Sequence, residues 1–265
     1  MTKLNFLVAA GAAALALSAT AATAAITTFA QFSAIGDNSN VRWANNSVAS
    51  NSTAPNTSSG TGGFFYTTTN GAGTSAQNVA VKFEFLQPQF ASVGVIAANF
   101  LMNITVVESP AIAVGSNRIQ AIPTGGFSFF STQAFTVNSV FYGVGTNLLT
   151  ASISDGQIAG RGTSGAFSGN TDDGTLTYSS QVLDFGNTSN RDFALSLTSI
   201  TPGLFRDSGR ALRTFRGLAT GSFSSDPAPI VNAVPEPEIW GLLVVGFGLV
   251  GVQVRRRMRQ SAVAA

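Results

Sequence analysis

Residues 79–86 read V-A-V-K-F-E-F-L, and this stretch decides the fold class of the chain. Its apolar residues Val79, Val81, Phe83 and Phe85 occupy every second position, so one face of an extended segment is wholly apolar. Successive side chains of a β-strand point to opposite faces of the sheet, which makes such alternation typical of a half-buried strand. The stretch therefore predicts a strand that packs on a core by one face.

The same alternation recurs on both sides of this stretch, and glycine, proline, asparagine and aspartate separate the segments that show it. No long segment between the two ends of the chain has the 3.6-residue period of an amphipathic helix. Many short strands joined by turns predict an all-β fold, either an antiparallel β-sandwich or a jelly roll. We expect strands at residues 27–34, 64–69, 79–86, 93–107, 127–137, 139–144, 148–154, 175–185, 192–200 and 212–223.

Two residue types are missing, and their absence restricts the chemistry of the chain. The 265 residues include no histidine and no cysteine. Without histidine there is no Ser-His-Asp or Cys-His catalysis, and the usual zinc, copper and non-haem iron sites lose their commonest ligand. Without cysteine there are no disulfides, so the 21 phenylalanines must supply the core. We expect no catalytic residues and no cofactor.

Most of the excess positive charge lies near the ends of the chain. Of 14 lysines and arginines, Lys3 and four arginines after residue 254 lie in the terminal segments, and of 12 acids Glu236 and Glu238 lie there too. Nine basic and ten acidic residues remain between these segments, which gives a net charge of −1. Nucleic-acid-binding domains are strongly basic. We therefore expect no nucleic-acid partner.

The first 24 residues have the three parts of a secretory signal peptide. Lys3 precedes an uncharged apolar run at residues 4–17, and small residues follow it. Ala22 and Ala24 flank Thr23 in the A-x-A pattern of a cleavage site. We expect the translocon to export the chain and signal peptidase to cleave it after Ala24.

Residues 239–254 form an apolar segment without charges, and a basic cluster follows it. As a helix, these 16 residues would span about 24 Å at ~1.5 Å per residue, somewhat less than the ~30 Å hydrocarbon core. Trp240 at one interface and snorkelling arginines at the other can make up the difference, which predicts a membrane helix with its basic end in the cytoplasm. The basic residues are Arg255, Arg256, Arg257 and Arg259.

A short motif lies at the start of this segment: Pro235, Glu236 and Pro237, with Trp240 three residues further on. Pro-Glu-Pro, the tryptophan, the apolar span and the arginine cluster together resemble the PEP-CTERM sorting signal of Gram-negative bacteria in its PEPxxWA form. Gly241 stands where that family usually has alanine. The resemblance is confined to the tail and leaves the body of the chain unassigned.

The resemblance implies recognition by an exosortase, a membrane cysteine protease or transpeptidase, near the Pro-Glu-Pro motif. It also implies a structural or adhesive role at the cell surface or in an extracellular matrix that contains exopolysaccharide. The precursor would be held in the inner membrane with its body in the periplasm before sorting. A permanent membrane span that is never processed is the alternative.

These segments predict five parts along the chain. The signal peptide comes first and the β domain contains one low-complexity loop. A proline-rich linker, which favours extended polyproline conformations, separates the domain from the membrane helix. The predicted parts are a signal peptide at 1–24, a β domain at 25–225 with its loop at 45–63, a linker at 226–238, a membrane helix at 239–254 and a basic cytoplasmic tail at 255–265.

One polar stretch suggests a metal site. Asn170, Asp172 and Asp173 offer the oxygen ligands that calcium prefers. The spacing to Gly174 does not fit the EF-hand loop, because Gly169 would fall at its first ligand position. We therefore favour the alternative, a tight hairpin loop without a metal ion, since aspartate before glycine is common in turns.

Two further features suggest ligand binding. Trp43, Phe64, Phe65 and Tyr66 flank the low-complexity loop, and exposed aromatic side chains there would stack on sugar rings, which makes a glycan-binding module the alternative function. A basic cluster could attract an acidic polysaccharide, but we expect some of its arginines to pair with Asp207 and the rest to be solvated. The cluster consists of Arg206, Arg210, Arg213 and Arg216.

A polysaccharide-active enzyme is a further alternative, because a glycosidase needs only two suitably spaced carboxylates. Most acids of the body lie in turns such as Asp155-Gly156 and Asp173-Gly174, where aspartate favours the backbone conformation. We therefore predict a non-enzymatic protein.

Overall fold

The structure, a computed structural model, describes residues 27–46, 60–107, 109–171, 175–186, 188, 190–225 and 227–229. This part of the chain contains strands and two short 3₁₀ turns, Thr69–Gly71 and Pro88–Phe90. No helix in it is long and apolar enough to cross a membrane. The predicted signal peptide, membrane helix and basic tail lie outside the described residues.

Sixteen strands are present in the described ranges, and every pairing between them is antiparallel. The predicted all-β antiparallel fold is therefore confirmed. The strands are β1 (Thr27–Ala34), β2 (Val41–Asn45), β3 (Gly63–Thr67), β4 (Val79–Phe85), β5 (Val95–Val106), β6 (Ile112–Val114), β7 (Asn117–Ser131), β8 (Phe135–Val137), β9 (Val140–Tyr142), β10 (Asn147–Arg161), β11 (Ser164–Asn170), β12 (Leu176–Ser179), β13 (Leu183–Asp184), β14 (Asp192–Thr201), β15 (Phe215–Ser225) and β16 (Ala228–Pro229).

The main sheet closes on itself. Its pairings run from β15 through β1, β4, β5, β7, β10, β11 and β14 and return to β15. Strands β2 and β3 lie beside β1 and β4 in the same layer, because β2 pairs with β15 and β3 pairs with β5. Each strand of this ring has a partner on both sides, which satisfies backbone groups that an edge strand would leave unpaired.

The interior of the ring is a single core dominated by phenylalanine. Phe223 of β15 packs against Phe129 of β7 with ring centroids 5.5 Å apart, and Phe129 stacks on Phe100 of β5 at 4.8 Å. Phe83 of β4 lies 5.1 Å from Phe129. The alternating apolar residues of separate strands therefore meet at one centre. Aromatic pairs of this kind contribute about 0.5–1.5 kcal/mol each beyond their buried area, which helps a chain without disulfides to fold.

The two ends of the ring differ in what they carry. Thr27, the first residue of β1, pairs with Ser225, the last residue of β15, and Pro229 of β16 pairs with Leu183 of β13. Both ends of the described chain therefore leave the ring on one side, which we name the exit end. The start of β15 lies ten residues back along the strand, about 33 Å away at ~3.3 Å per residue.

The opposite end is covered by the loop that joins β14 to β15, residues 202–214. We name it the arginine end, because Arg206, Arg210 and Arg213 lie in that loop. Leu212 is fully buried there. Trp43 Nε1 and Asn45 Nδ2 each donate a hydrogen bond of 2.9 Å to the Leu212 carbonyl oxygen. These bonds fix the loop to β2.

The structure has strands that the sequence pattern does not predict. Strand β11 reads S-G-A-F-S-G-N and has few apolar residues to alternate. Its glycines have a packing reason, because a Cβ on Gly165 or on its partner Gly160 would collide with the facing strand. Strands β2 and β6 are short, and β7 continues through Pro123 and Gly125, residues that otherwise indicate a break.

Several predicted boundaries differ from the observed ones, such as those of the strand at 175–185, which is divided between β12 and β13. The predicted strand at 127–137 is divided between the end of β7 and the separate strand β8. Strand β10 continues to Arg161, beyond the predicted end at residue 154, because its pairing with β7 resumes at Gly156 after Asp155, whose φ is +58°. The predicted linker begins at Asp226, whereas Ala228 and Pro229 still pair with β13. The described body therefore extends to Pro229.

Candidate functional site

The aromatic residues predicted to be exposed are mostly buried. Trp43, Phe65 and Tyr66 are 0%, 0% and 3% exposed, and only Phe64 among the four is exposed, at 42%. The expectation that Trp43 and Tyr66 face solvent as sugar-stacking residues is wrong. Strand β2 is covered on both faces, by the core inside and by residues 68–77 outside, where Arg42 Nη1 donates to the Gly73 carbonyl oxygen at 3.0 Å.

Tyr66 is held in the same covering segment. Its hydroxyl donates a 3.1 Å hydrogen bond to the Gly73 carbonyl oxygen. Burial raises the pKa of the Tyr66 phenol above its usual 10.0, and the nearby Arg42 guanidinium acts in the opposite direction. Tyr66 and Trp43 therefore fasten loops to the ring and do not present an aromatic platform.

A groove of about 580 Å³ lies on the outer face of the ring, across β4, β1, β15, β14 and β11. Gln31, Lys82 and Glu84 form one side of it, and Ser196 and Ser222 lie further across. Gln31 Nε2 donates a 2.8 Å hydrogen bond to Glu84 Oε2. The groove thus offers hydroxyls, an amide, one ammonium group and one carboxylate, which suit a neutral polar ligand better than a strongly charged one.

The strand register builds this groove. Gln31 of β1 pairs with Glu84 on one side and with Ser222 of β15 on the other, and Ser222 pairs with Ala194 of β14. The row therefore passes from long polar side chains to small ones, and the small ones leave room above the sheet. The sequence pattern predicts that the outer face of residues 79–86 is solvated. It does not predict the groove, because the small residues on the other side of the groove come from strands that are distant in the sequence.

A smaller hollow of about 230 Å³ contains part of the predicted calcium site. Asn170 lines it together with Asp155 and Ser168, whereas Asp172 and Asp173 lie outside the described residues. The hairpin alternative is wrong, because β11 and β12 do not pair with each other but lie one after the other along β10. No group of three or more potential acidic, histidine or cysteine ligands occurs in the described ranges.

Each of the two concavities contains one carboxylate, Glu84 in the groove and Asp155 in the hollow. Glycosidases need a pair of carboxyl groups about 5–10 Å apart across one cleft. Neither concavity supplies such a pair from its lining residues.

The arginine end presents the basic cluster on an ordered loop. Arg213 Nη2 lies 2.5 Å from Asp207 Oδ1, so the expected pairing with Asp207 is confirmed for this arginine. The Nε atoms of Arg206 and Arg213 are buried and make no hydrogen bond within the described ranges. Arg216 is not part of this loop, since it lies in β15 opposite Arg42. The basic cluster is therefore reduced to Arg206, Arg210 and Arg213.

Several predicted site residues cannot be placed. They belong to the signal cleavage site, the sorting motif, its basic cluster and the predicted calcium loop. These residues outside the described ranges are Ala22, Ala24, Asp172, Asp173, Pro235, Glu236, Pro237, Trp240, Arg255, Arg256 and Arg257.

Comparisons of the chain with protein-family models, with curated proteins and with solved structures return no match. Function must therefore be argued from the residues of this chain and from the arrangement of its two ends.

Proposed function

We propose that this chain is an exported structural or adhesive protein of the cell surface or of an exopolysaccharide-containing matrix. The signal peptide at residues 1–24 sends the body out, and the PEP-CTERM-like tail holds and then sorts it through an exosortase-type enzyme. The body has no catalytic role in this proposal.

One structural observation supports the proposal: the pairing of Thr27 with Ser225, which places both exits of the body together. A signal peptide and a membrane tail attached at the same end do not cross the body. The arginine end then lies about 33 Å from the attachment point along β15, where it can meet material outside the cell.

The basic loop at that end supports an adhesive role. Arg206, Arg210 and Arg213 lie in a loop fixed to β2 through Leu212, so the guanidinium groups are presented by an ordered segment. Arginine can recognise carboxylates in a bidentate geometry, and a single contact between Arg213 Nη2 and Asp207 Oδ1 shows that this loop already holds one carboxylate. Acidic exopolysaccharide is the partner that fits this surface.

The proposal is tested by following the mature chain from cells that make an exosortase. We expect mass spectrometry of the surface fraction to find a chain that begins near Ala25 and lacks Trp240 through Arg259. A triple change of Pro235, Glu236 and Pro237 to alanine should leave an unprocessed chain in the inner membrane. A surface form that still carries Trp240 through Arg259, or one that begins at Met1, would contradict the proposal.

A glycan-binding module is the second candidate, and the groove of about 580 Å³ favours it. A glycan array with the full chain should give hits that Gln31→Ala weakens, because Gln31 contributes its amide to the groove. Gln157→Ala is the matched control, since Gln157 is an exposed glutamine that does not line the groove. An array without hits above background would remove this candidate.

A further inference from the structure

The exit end carries an exposed apolar hairpin formed by β8 and β9. Its turn residues Asn138 and Ser139 both have positive φ, 47° and 66°, as a two-residue hairpin turn requires. One face of the hairpin packs on the body, because Phe135 and Val137 are buried in the core. Within the hairpin, Phe135 stacks on its cross-strand partner Tyr142 with centroids 5.1 Å apart. Phe141 on the other face is 71% exposed.

A second apolar residue lies beside it. Val144 follows β9 and is 70% exposed. Between Arg118 and Asp155 the sequence contains no charged residue at all. The hairpin therefore offers apolar side chains on a segment without charges. No charged side chain of this segment would have to lose its water when the hairpin meets an apolar surface.

The base of the hairpin lies next to the point where the chain leaves the body. Asn147, which follows the hairpin, accepts a 2.9 Å hydrogen bond from the Gln181 backbone N–H and donates its own N–H to Gln181 Oε1 at 2.7 Å. Two residues after Gln181, Leu183 pairs with Pro229, the last described residue. Hairpin and exit thus belong to one connected patch.

The length of chain beyond Pro229 keeps this patch close to the membrane that the tail would enter. Nine residues, 230–238, separate Pro229 from the apolar segment that begins at residue 239. With Pro235 and Pro237 in an extended polyproline conformation of ~3.1 Å per residue, they reach about 28 Å at most. The tether therefore holds the hairpin at a high effective concentration near the lipid surface.

We infer that Phe141 and Val144 insert into the interface of the lipid bilayer and seat the exit end of the precursor on the membrane. This inference rests on the proposed function, because the membrane tail supplies the tether. Two apolar side chains bind a bilayer weakly by themselves, but a membrane anchor on the same molecule makes a weak second contact sufficient. The contact fixes the orientation of the body, with the arginine end away from the lipid.

The absence of cysteine from the chain makes a site-specific test direct. Phe141→Cys and Val144→Cys variants of the full chain are each labelled with an environment-sensitive fluorophore and reconstituted into phosphatidylcholine vesicles. Val107→Cys is the matched control, because Val107 is also 70% exposed but follows β5 at the other end of the ring. Flotation checks anchoring, and circular dichroism checks folding.

We expect blue-shifted emission and at least several-fold stronger quenching by lipid-attached quenchers at residues 141 and 144 than at residue 107. If the chain floats with the vesicles but the labels at 141 and 107 both show the emission of a water-exposed fluorophore, the inference is overturned and the anchor remains supported. A blue shift at 141 without lipid quenching also overturns it, since a second copy of the chain would then cover the hairpin. A chain that does not float contradicts the anchor itself, and the inference falls with it.

Discussion

The two ends of the ring are closed by different means. At the arginine end the loop at 202–214 is fastened by side-chain hydrogen bonds to its backbone, such as those to the Leu212 carbonyl oxygen. At the exit end Tyr178 and Phe185 pack on Phe29, with ring centroids 5.5 and 5.3 Å from it. The arginine end therefore carries the basic loop, although Phe205 in that loop and Val107 beside it are exposed too. The exit end is aromatic inside and carries an uncharged apolar hairpin.

This difference shows that the two ends of the body can present different charge although the net charge of the body is only −1. Basic residues gather far from Pro229, the last described residue, and an uncharged apolar hairpin lies near it. Apolar side chains next to lipid and charged side chains in water both lower the free energy. On a membrane, the two features would therefore favour the same orientation of the body.

The largest expected effect concerns the core that links the two ends. Phe223→Ala removes a fully buried ring that packs against Phe29, Phe32, Phe83, Phe127 and Phe129. We expect a loss of about 3–5 kcal/mol in the free energy of unfolding, measured by denaturant titration. Both ends should unfold in one transition. Two separate transitions would show that the ends are independent units and would break the comparison.

A smaller effect is expected from the polar fastening of the arginine end. Gln120 is fully buried, and its Oε1 accepts a 3.1 Å hydrogen bond from the Leu212 backbone N–H. Gln120→Ala leaves that buried N–H without its partner, which costs about 1–3 kcal/mol. Hydrogen exchange should accelerate in residues 202–214 and stay unchanged in the exit end.

Gln133→Ala provides the control for this change. Gln133 is exposed, and its Nε2 donates a long 3.4 Å hydrogen bond to the Val95 carbonyl oxygen near the exit end. The stability should change by less than about 0.5 kcal/mol. Equal destabilisation by the two alanine variants would show that the arginine end has no special polar fastening.

The exit end has its own test through Tyr178. Its hydroxyl donates a 2.6 Å hydrogen bond to the Asp192 carbonyl oxygen. Burial raises the pKa of the Tyr178 phenol well above 10.0, the Asp192 carboxylate adds to the rise, and Arg191 opposes it. Above pH 10 the tyrosine of the unfolded chain ionises while the folded one keeps its proton, so stability falls as pH rises past 10.

Tyr178→Phe should therefore cost about 0.5–1.5 kcal/mol at neutral pH through the lost hydrogen bond. The same variant should lose less stability than the unchanged chain between pH 10 and 12, in parallel denaturant titrations. A residual slope remains, because burial also raises the pKa values of Tyr66 and Tyr142. An identical alkaline slope in both chains would contradict the burial of the Tyr178 phenol.

The smallest effect is expected at the surface of the arginine end. The Asp207–Arg213 pair is about one third exposed, with side chains at 39% and 29%. Exposed pairs contribute about 0–1 kcal/mol, and salt screens them. Asp207→Asn should change the melting temperature by little and should increase retention on an acidic polysaccharide column, because it frees a guanidinium group. Unchanged retention would argue against an adhesive role of this loop.

The sequence predicts the local parts of this fold well. Strand β1 matches its predicted range of 27–34, and β4 ends one residue before the predicted end of 79–86. In β4 the apolar side chains alternate without interruption, whereas in β1 a register shift after Thr28 leaves Phe29 and Ala30 both buried. Strand β11 lacks such side chains and is held by its neighbours β10 and β14, so its pattern carries little signal.

The candidate sites could be predicted less well, because they depend on distant segments. Trp43 is buried in the core beside Phe65 and under the loop at 202–214, a loop that the residues next to Trp43 in the sequence do not indicate. The groove requires β1, β14 and β15 in one row, a register that only the closure of the ring establishes. The sequence shows the basic loop as a cluster of arginines. It does not predict how far this loop lies from the two points where the chain leaves the ring.

The orientation of the body on the membrane is the central claim, and one measurement tests it directly. The full chain, with a donor fluorophore on Thr136→Cys in β8 or on Ser208→Cys in the loop at 202–214, is reconstituted into vesicles that contain acceptor lipids. Both native residues are exposed. We expect strong energy transfer from residue 136 and weak transfer from residue 208, with distances to the lipid surface that differ by about 30 Å, as the length of β15 requires. Equal transfer from both positions, or stronger transfer from residue 208, would contradict the account.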